Sequence, residues 1–214
     1  MTKINFKHLP KVLFFALIVK PVVLFLLGLN IQGKRSLPTK SAVIAANHNS
    51  HLDTLVLMSL FPLSQIHLVR PVAAADYFLK NRYMAWFALN CIGIIPLERK
   101  SQQYDQIFKD CHQALDNGDI LILFPEGSRG EPEKIGTIKK GLYYLLEERQ
   151  HNVEVYPVIL RGLGNALPRG EALFVPFNCD VIIGEPLPPQ NSSEQFVTIL
   201  FERYNQLAEN CLTK

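Results

Sequence analysis

The segment Asn47-His48-Asn49-Ser50-His51-Leu52-Asp53 places an imidazole five residues before a carboxylate. Near neutral pH a His can take a proton from a hydroxyl, while a carboxylate fixes its tautomer and stabilises the resulting imidazolium. By itself the pair is weak evidence, because a loop His and a helix-capping Asp satisfy the same spacing. Asp53 opens a helical pattern, so the turn before it can fold it back towards His48. His51 adds an H-x-x-H spacing suited to a metal pair, but no third ligand stands nearby and no metal is expected.

Two further segments set charge at the ends of apolar runs. The first is Gly93-Ile94-Ile95-Pro96-Leu97-Glu98-Arg99-Lys100. The second, Phe124-Pro125-Glu126-Gly127-Ser128-Arg129-Gly130, follows the run Ile120–Leu123. Gly127 permits a tight turn or a close backbone approach to a ligand. Ser128 and Arg129 form a donor pair suited to phosphate, and Lys139 and Lys140 follow ten residues later. Arg99, Arg129 and Lys139 can converge on one phosphate, although each alone also reads as an ordinary solvated charge. The four cysteines are scattered, with no CxxC pair, and read as small buried hydrophobes in a reducing compartment.

The elements that must position these groups alternate between two periods. Short β-branched runs predict strands at Ala42–Ala46, His67–Val72, Ile92–Leu97, Ile120–Phe124, Val155–Leu160, Leu173–Val175 and Val181–Ile183. Helical spacing marks Asp53–Leu60, Arg82–Leu89, Tyr104–Asn117, Lys139–Arg149 and Ser193–Leu212, the last opened by a capping box of Ser192 and Gln195. This alternation predicts a single α/β domain, a mixed sheet flanked by helices, over residues 33–214. Tyr77, Phe78, Tyr83, Trp86 and Phe87 cluster between the first two motifs. Core packing is their plainer reading, and a membrane-facing or acyl-chain-lining surface is the alternative.

Residues 1–52 contain seven Lys or Arg and no acid, whereas the remainder is slightly acidic. Within this basic stretch, Val12 to Leu29 is almost wholly apolar and at helical rise would extend roughly 27 Å. Basic residues flanking an aliphatic and aromatic segment suit an anionic lipid surface better than nucleic acid. Lys20-Pro21 interrupts the segment, which predicts two short helices broken there, in or dipping into one leaflet, over residues 1–32. A kinked transmembrane helix and a core helix are the alternatives, and no small-residue cleavage site follows that would mark a signal peptide.

Taken in order, NHNSHLD, GIIPLER, FPEGSR and Val155-Tyr156-Pro157-Val158-Ile159 resemble the motif series of the glycerolipid acyltransferases, the family that includes the 1-acylglycerol-3-phosphate (lysophosphatidate) acyltransferases. The resemblance covers roughly residues 30–185. It implies that His48 is the general base and Asp53 its partner, and that Arg99 binds the acceptor's phosphate. Glu126, Gly127, Ser128 and Arg129 would shape the acceptor site, and Pro157 would support the acyl-donor region. Lys139 matches a family F-K-x-G element in which Ile138 replaces Phe. Departures at Pro96-Leu97-Glu98 and Gly130 fall on the acceptor side.

The reaction so implied is transfer of a fatty acyl group from acyl-CoA or acyl-ACP to the sn-2 hydroxyl of 1-acylglycerol-3-phosphate, giving phosphatidic acid at the cytoplasmic face of a bacterial inner membrane. The thioester is a co-substrate, and no bound cofactor is expected. Direct attack needs no enzyme nucleophile, in keeping with the lack of a G-x-S-x-G elbow or an activated Cys motif. Alternatives are a different lysolipid acceptor, such as a lyso-ornithine lipid or lysophosphatidylcholine, a non-catalytic lipid-binding module, and a thioesterase.

Overall fold

The computed structural model describes residues 8–98, 104–131, 134–147, 149–166 and 178–213. In chain order the first half comprises α1 (Leu9–Phe14), α2 (Lys20–Leu26), β1 (Gly28–Gln32), β2 (Ala42–Ala46), α3 (Leu52–Ser59), β3 (Val69–Ala74), α4 (Ala75–Phe78), α5 (Arg82–Phe87) and β4 (Ile95–Leu97). The second half comprises α6 (Tyr104–Asp116), β5 (Ile120–Leu123), α7 (Gly141–Leu146), β6 (Glu154–Arg161), α8 (Leu163–Ala166), β7 (Asn178–Ile183) and α9 (Ser193–Ala208).

The seven strands form one sheet in the order β1-β7-β6-β2-β5-β3-β4. All five residues of β2 are buried, as its unbroken apolar run demands of a strand covered on both faces. It lies at the middle of the sheet, parallel to β5 and β6, and β3 and β4 continue in the same direction. β7 runs antiparallel to β6, and β1 lies parallel to β7, so the sheet is mixed as expected.

The pleat sorts the core into two layers. Val43 and Ala45 join a cluster with Leu121, Phe108, Leu142 and Phe196, under α6, α7 and α9. Ile44 and Ala46 face the other way, with Phe15, Val19, Met58 and Phe61, under α1, α2 and α3.

The N-terminal segment differs from its expectation. No break occurs at Lys20-Pro21. Instead α1 passes into α2 through a π-helical turn at Phe15–Val19, and Pro21 falls in the first turn of α2. There it falls where the helical ladder changes step after the π-helical turn, whose last N–H, that of Lys20, donates to Phe15 O. Phe15, Val19, Val23 and Leu27 are buried against the sheet, while Leu17 and Phe25 are 70% and 86% exposed, so the helical run has a core side and an apolar outer side. Lys11, read as a flanking charge for lipid headgroups, and Lys20, read as an interruption of the segment, both turn inward: Lys11 Nζ donates to Val69 O at 2.6 Å, and Lys20 Nζ to Ser59 O at 2.7 Å and Phe61 O at 3.0 Å. Among the described residues, no helix is long and apolar enough to cross a membrane. Residues 28–32, assigned to that segment from the sequence, form an edge strand of the sheet.

Other boundaries shift for local reasons. β4 starts at Ile95 because Ala88–Ile92 form a second π-helical turn, closed by Gly93 at φ +79°. β3 starts at Val69 after a 3₁₀ turn at Ile66–Leu68. α7 begins at Gly141 because Lys139 is held in the preceding loop, its N–H donating to Pro125 O at 2.9 Å. The hydroxyl of Ser192 accepts the N–H of Gln195 at 3.2 Å, as its capping position requires. The expected strand Leu173–Val175 lies outside the described residues. The aromatic cluster is not core: Tyr77, Tyr83, Trp86 and Phe87 are all exposed.

Candidate active site

Where β2 ends, Asn47 clasps the neighbouring strand with both faces of its amide. Its Nδ2 donates to Leu160 O at 2.9 Å and its Oδ1 accepts from Leu160 N at 2.7 Å. This extends the β2–β6 pairing by a side chain and turns the main chain out of the sheet. His48 therefore leaves the C-terminal end of the central strand, where α/β folds commonly place reactive groups.

Asp53 lies in the first turn of α3 and is fully buried. One oxygen, Oδ2, accepts from Asn49 N at 2.7 Å and Ser50 N at 2.8 Å, and it meets His48 Nδ1 at 2.9 Å. An oxygen that already accepts two N–H groups acts as acceptor again, so Nδ1 carries the hydrogen and the lone pair sits on Nε2. The expected pair is thus brought together, with the His side chain 20% exposed and the carboxylate sealed beneath it. The imidazole stacks on Phe124, ring centroids 4.0 Å apart and planes 20° from parallel, which fixes its face.

The FPEG loop grips the same residue from the other side. Glu126 Oε1 accepts from His48 N at 3.1 Å, and Gly130 N donates to His48 O at 2.9 Å. Glu126 is 4% exposed, so its carboxylate supports the His48 loop rather than facing solvent. Burial raises its pKa, an effect opposed by the N–H groups of His48 and Gly136. Gly127 has φ +72°, and a Cβ there would stand 2.9 Å from Lys139 Nζ. The glycine therefore supplies both the left-handed turn and the space for that lysine.

Of the remaining expected residues, Ser128 and Lys139 are exposed on this loop system. Arg129 donates from Nη1 to Nε2 of His51. Burial and the neighbouring Arg129 and His48 lower the His51 pKa, which keeps the ring neutral and able to accept. Arg99 lies outside the described residues. The sequence reading missed the Asn47 clasp, the Phe124 platform and the supporting role of Glu126. Only Phe124, an aromatic at the strand end opposite the His, left any trace in the pattern. Among the described residues, no three His, Cys, Asp or Glu side chains are grouped to hold a metal ion.

A mixed α/β sheet that carries a carboxylate-oriented imidazole at a central strand end has the geometry that a general base requires. The acyltransferase family matches residues 28–161, and the chain belongs to that family. It is 30% identical over 163 residues to the chloroplastic 1-acyl-sn-glycerol-3-phosphate acyltransferase of Arabidopsis thaliana, covering 74% of this chain and 43% of the relative. Over 137 residues it is 28% identical to the 1-acyl-sn-glycerol-3-phosphate acyltransferase of Helicobacter pylori, covering 63% of this chain and 54% of the relative. The chain thus spans about half the length of the curated relatives it matches. In fold it is similar to the crystal structure of the 1-acyl-sn-glycerophosphate (LPA) acyltransferase PlsC from Thermotoga maritima, with a TM-score of 0.74 at 20% identity, covering 95% of this chain and 81% of that one.

Proposed function

We propose that this chain transfers a fatty acyl group from acyl-CoA or acyl-ACP to the sn-2 hydroxyl of 1-acylglycerol-3-phosphate at a membrane surface, forming phosphatidic acid. The observation that carries the reading is the His48 Nδ1 to Asp53 Oδ2 contact, which leaves Nε2 as the proton acceptor. The names of the relatives support the choice of acceptor. The cytoplasmic face of a bacterial inner membrane is the proposed location.

In this reading Nε2 takes the hydroxyl proton as the oxygen attacks the thioester carbonyl carbon. The C–S bond then breaks, an ester forms, and the thiolate leaves with a proton returned by the imidazolium. Asp53 stabilises that imidazolium and holds the ring in its working tautomer. Arg99, Ser128, Arg129 and Lys139 supply donors for the acceptor's phosphate. Glu126 and Gly127 hold the loop that presents Ser128 and Arg129.

The test is a vesicle assay with a panel of lysolipid acceptors and mass spectrometry of the products. We expect phosphatidic acid from the lysophosphatidate lane and a drop of about 10²–10⁴-fold for His48→Ala. A variant that kept more than roughly a tenth of wild-type turnover would remove His48 from the mechanism.

A further inference from the structure

Exposed apolar side chains on α4 and α5 meet the outer side of α1 and α2 in one surface. The two parts are joined where Phe14 packs edge-to-face on Phe87, centroids 5.0 Å apart. Tyr83 and Trp86 are 75% and 57% exposed, and Leu17 and Phe25 more than half exposed on the neighbouring helices. The aromatic part is held on a capped helix, since the side chain of Asn81 accepts the N–H of Tyr83 at 2.8 Å. Contiguous apolar surface of this kind on a folded domain marks a docking face.

Charge identifies the occupant. Along residues 75–87 the exposed charges are Asp76, Lys80 and Arg82, a net positive set, whereas Lys11, Lys20 and Arg70 elsewhere in this half of the chain are turned to main-chain carbonyls. Arg82 sits over the Tyr83 ring at 5.4 Å and Lys80 is exposed beside it, so cations border the aromatic side chains. Tyr and Trp rings with adjacent cations suit the headgroup layer of an anionic bilayer. Topology adds a reason. α4 leaves the end of β3, which runs in the same direction as β2, so the patch begins at the sheet end that carries His48.

We infer that α4 and α5 form a second membrane contact, in which Tyr83 and Trp86 enter the headgroup layer of an anionic bilayer beside the outer side of α1 and α2. The inference rests on the lipid-acceptor reading for its choice of occupant, and it places the lipid surface next to the mouth of that site.

Trp86 is the only tryptophan in the chain, so intrinsic fluorescence reports on this patch alone. Full-length protein is mixed with vesicles of phosphatidylglycerol and phosphatidylcholine, with and without brominated acyl chains. We expect Trp86 emission to shift to shorter wavelength and to be quenched by the brominated lipid. In flotation, Lys80→Ala combined with Arg82→Ala should lower partitioning about 30-fold. Protein that floats with vesicles while Trp86 stays unquenched would overturn the inference, since the N-terminal helices would then dock alone. A lipid-independent, concentration-dependent shift, with dimers in sedimentation velocity, would overturn it in favour of a second copy of this chain. Transfer to a monomeric short-chain acceptor without vesicles tests the enzyme reading separately. It should be unchanged in Tyr83→Ser with Trp86→Ser, and its absence in the wild type would remove that reading while the quenching result still decides this one.

Discussion

The carboxylate of Glu126 accepts the main-chain N–H of His48 at 3.1 Å, across 78 residues of sequence. The residue that presents the imidazole is therefore fixed by a buried side chain from another strand end. Glu126→Ala strands this N–H, at a cost of about 1–3 kcal/mol for a donor left unmade. We expect a lower midpoint in chemical denaturation together with reduced turnover. Glu126→Gln keeps an acceptor and should lose much less of both.

Glu126 also sets a pH dependence. Burial raises its pKa above the ordinary 4.5, so the folded state holds its proton to higher pH than the unfolded state does. Stability from this group is therefore greatest at low pH and declines as pH rises from about 4.5 through the raised value. The difference in unfolding free energy between the wild type and Glu126→Gln should shift in favour of the glutamine variant across that window, as read by urea titrations at several pH values.

Asp53→Asn replaces an acceptor-only group with one that can present an N–H to His48 Nδ1. The imidazole then adopts the other tautomer and Nε2 loses its lone pair. Turnover is expected to fall on the order of 10³–10⁴-fold. Because the one oxygen Oδ2 serves Asn49 N, Ser50 N and His48 Nδ1, an amide nitrogen turned to the imidazole strands the two main-chain N–H groups, so a lower midpoint in urea unfolding should accompany the lost turnover. A near-normal rate would show that the carboxylate does not orient the base.

Lys11 provides a stability test remote from the chemistry. Burial, with the nearby Arg70, lowers its pKa from 10.5 to about 7, opposed by Asp119. Between these values the unfolded chain binds the extra proton, so stability should rise with pH from about 7 towards 10.5, with a slope of at most about 1.4 kcal/mol per pH unit. Below pH 7 the full penalty for the buried charge is present. Lys11→Met should flatten this slope in thermal or urea melts.

Gly127→Ala sets a Cβ in a left-handed backbone and 2.9 Å from Lys139 Nζ. A loss of about 1–3 kcal/mol is expected from the backbone conformation alone. The lysine can swing aside, so rising KM for a phosphate-bearing acceptor would measure how far the loop depends on its position.

The His48–Asp53 contact was readable from the sequence because five residues of turn and helix start bring the two groups together with little help from elsewhere. The central strand was equally plain, since an unbroken apolar run such as Ala42–Ala46 has no face to give to solvent. Glu126 was not readable in its supporting role, because its partner is a main-chain N–H that no side-chain pattern reveals. Lys11 and Lys20 misled for the opposite reason: the charge of Lys11 suggested headgroups and that of Lys20 a helix break, while their partners are carbonyls of Val69, Ser59 and Phe61. Arg99 and the run 173–175 fall outside the described residues and stay as sequence expectations.

The position of β2 has a consequence for how the molecule comes to exist. Both of its neighbours, β5 and β6, come from the second half of the chain, so Ala42 waits for Ile120 and then for Glu154 before its ladders are complete. Parallel pairing over such separations is slow and carries a large loop-closure cost. During synthesis the strand that carries His48 leaves the ribosome unpartnered on both edges, in an apolar stretch that favours aggregation. The imidazole and its carboxylate can meet early, but the platform that holds them forms among the last parts of the fold.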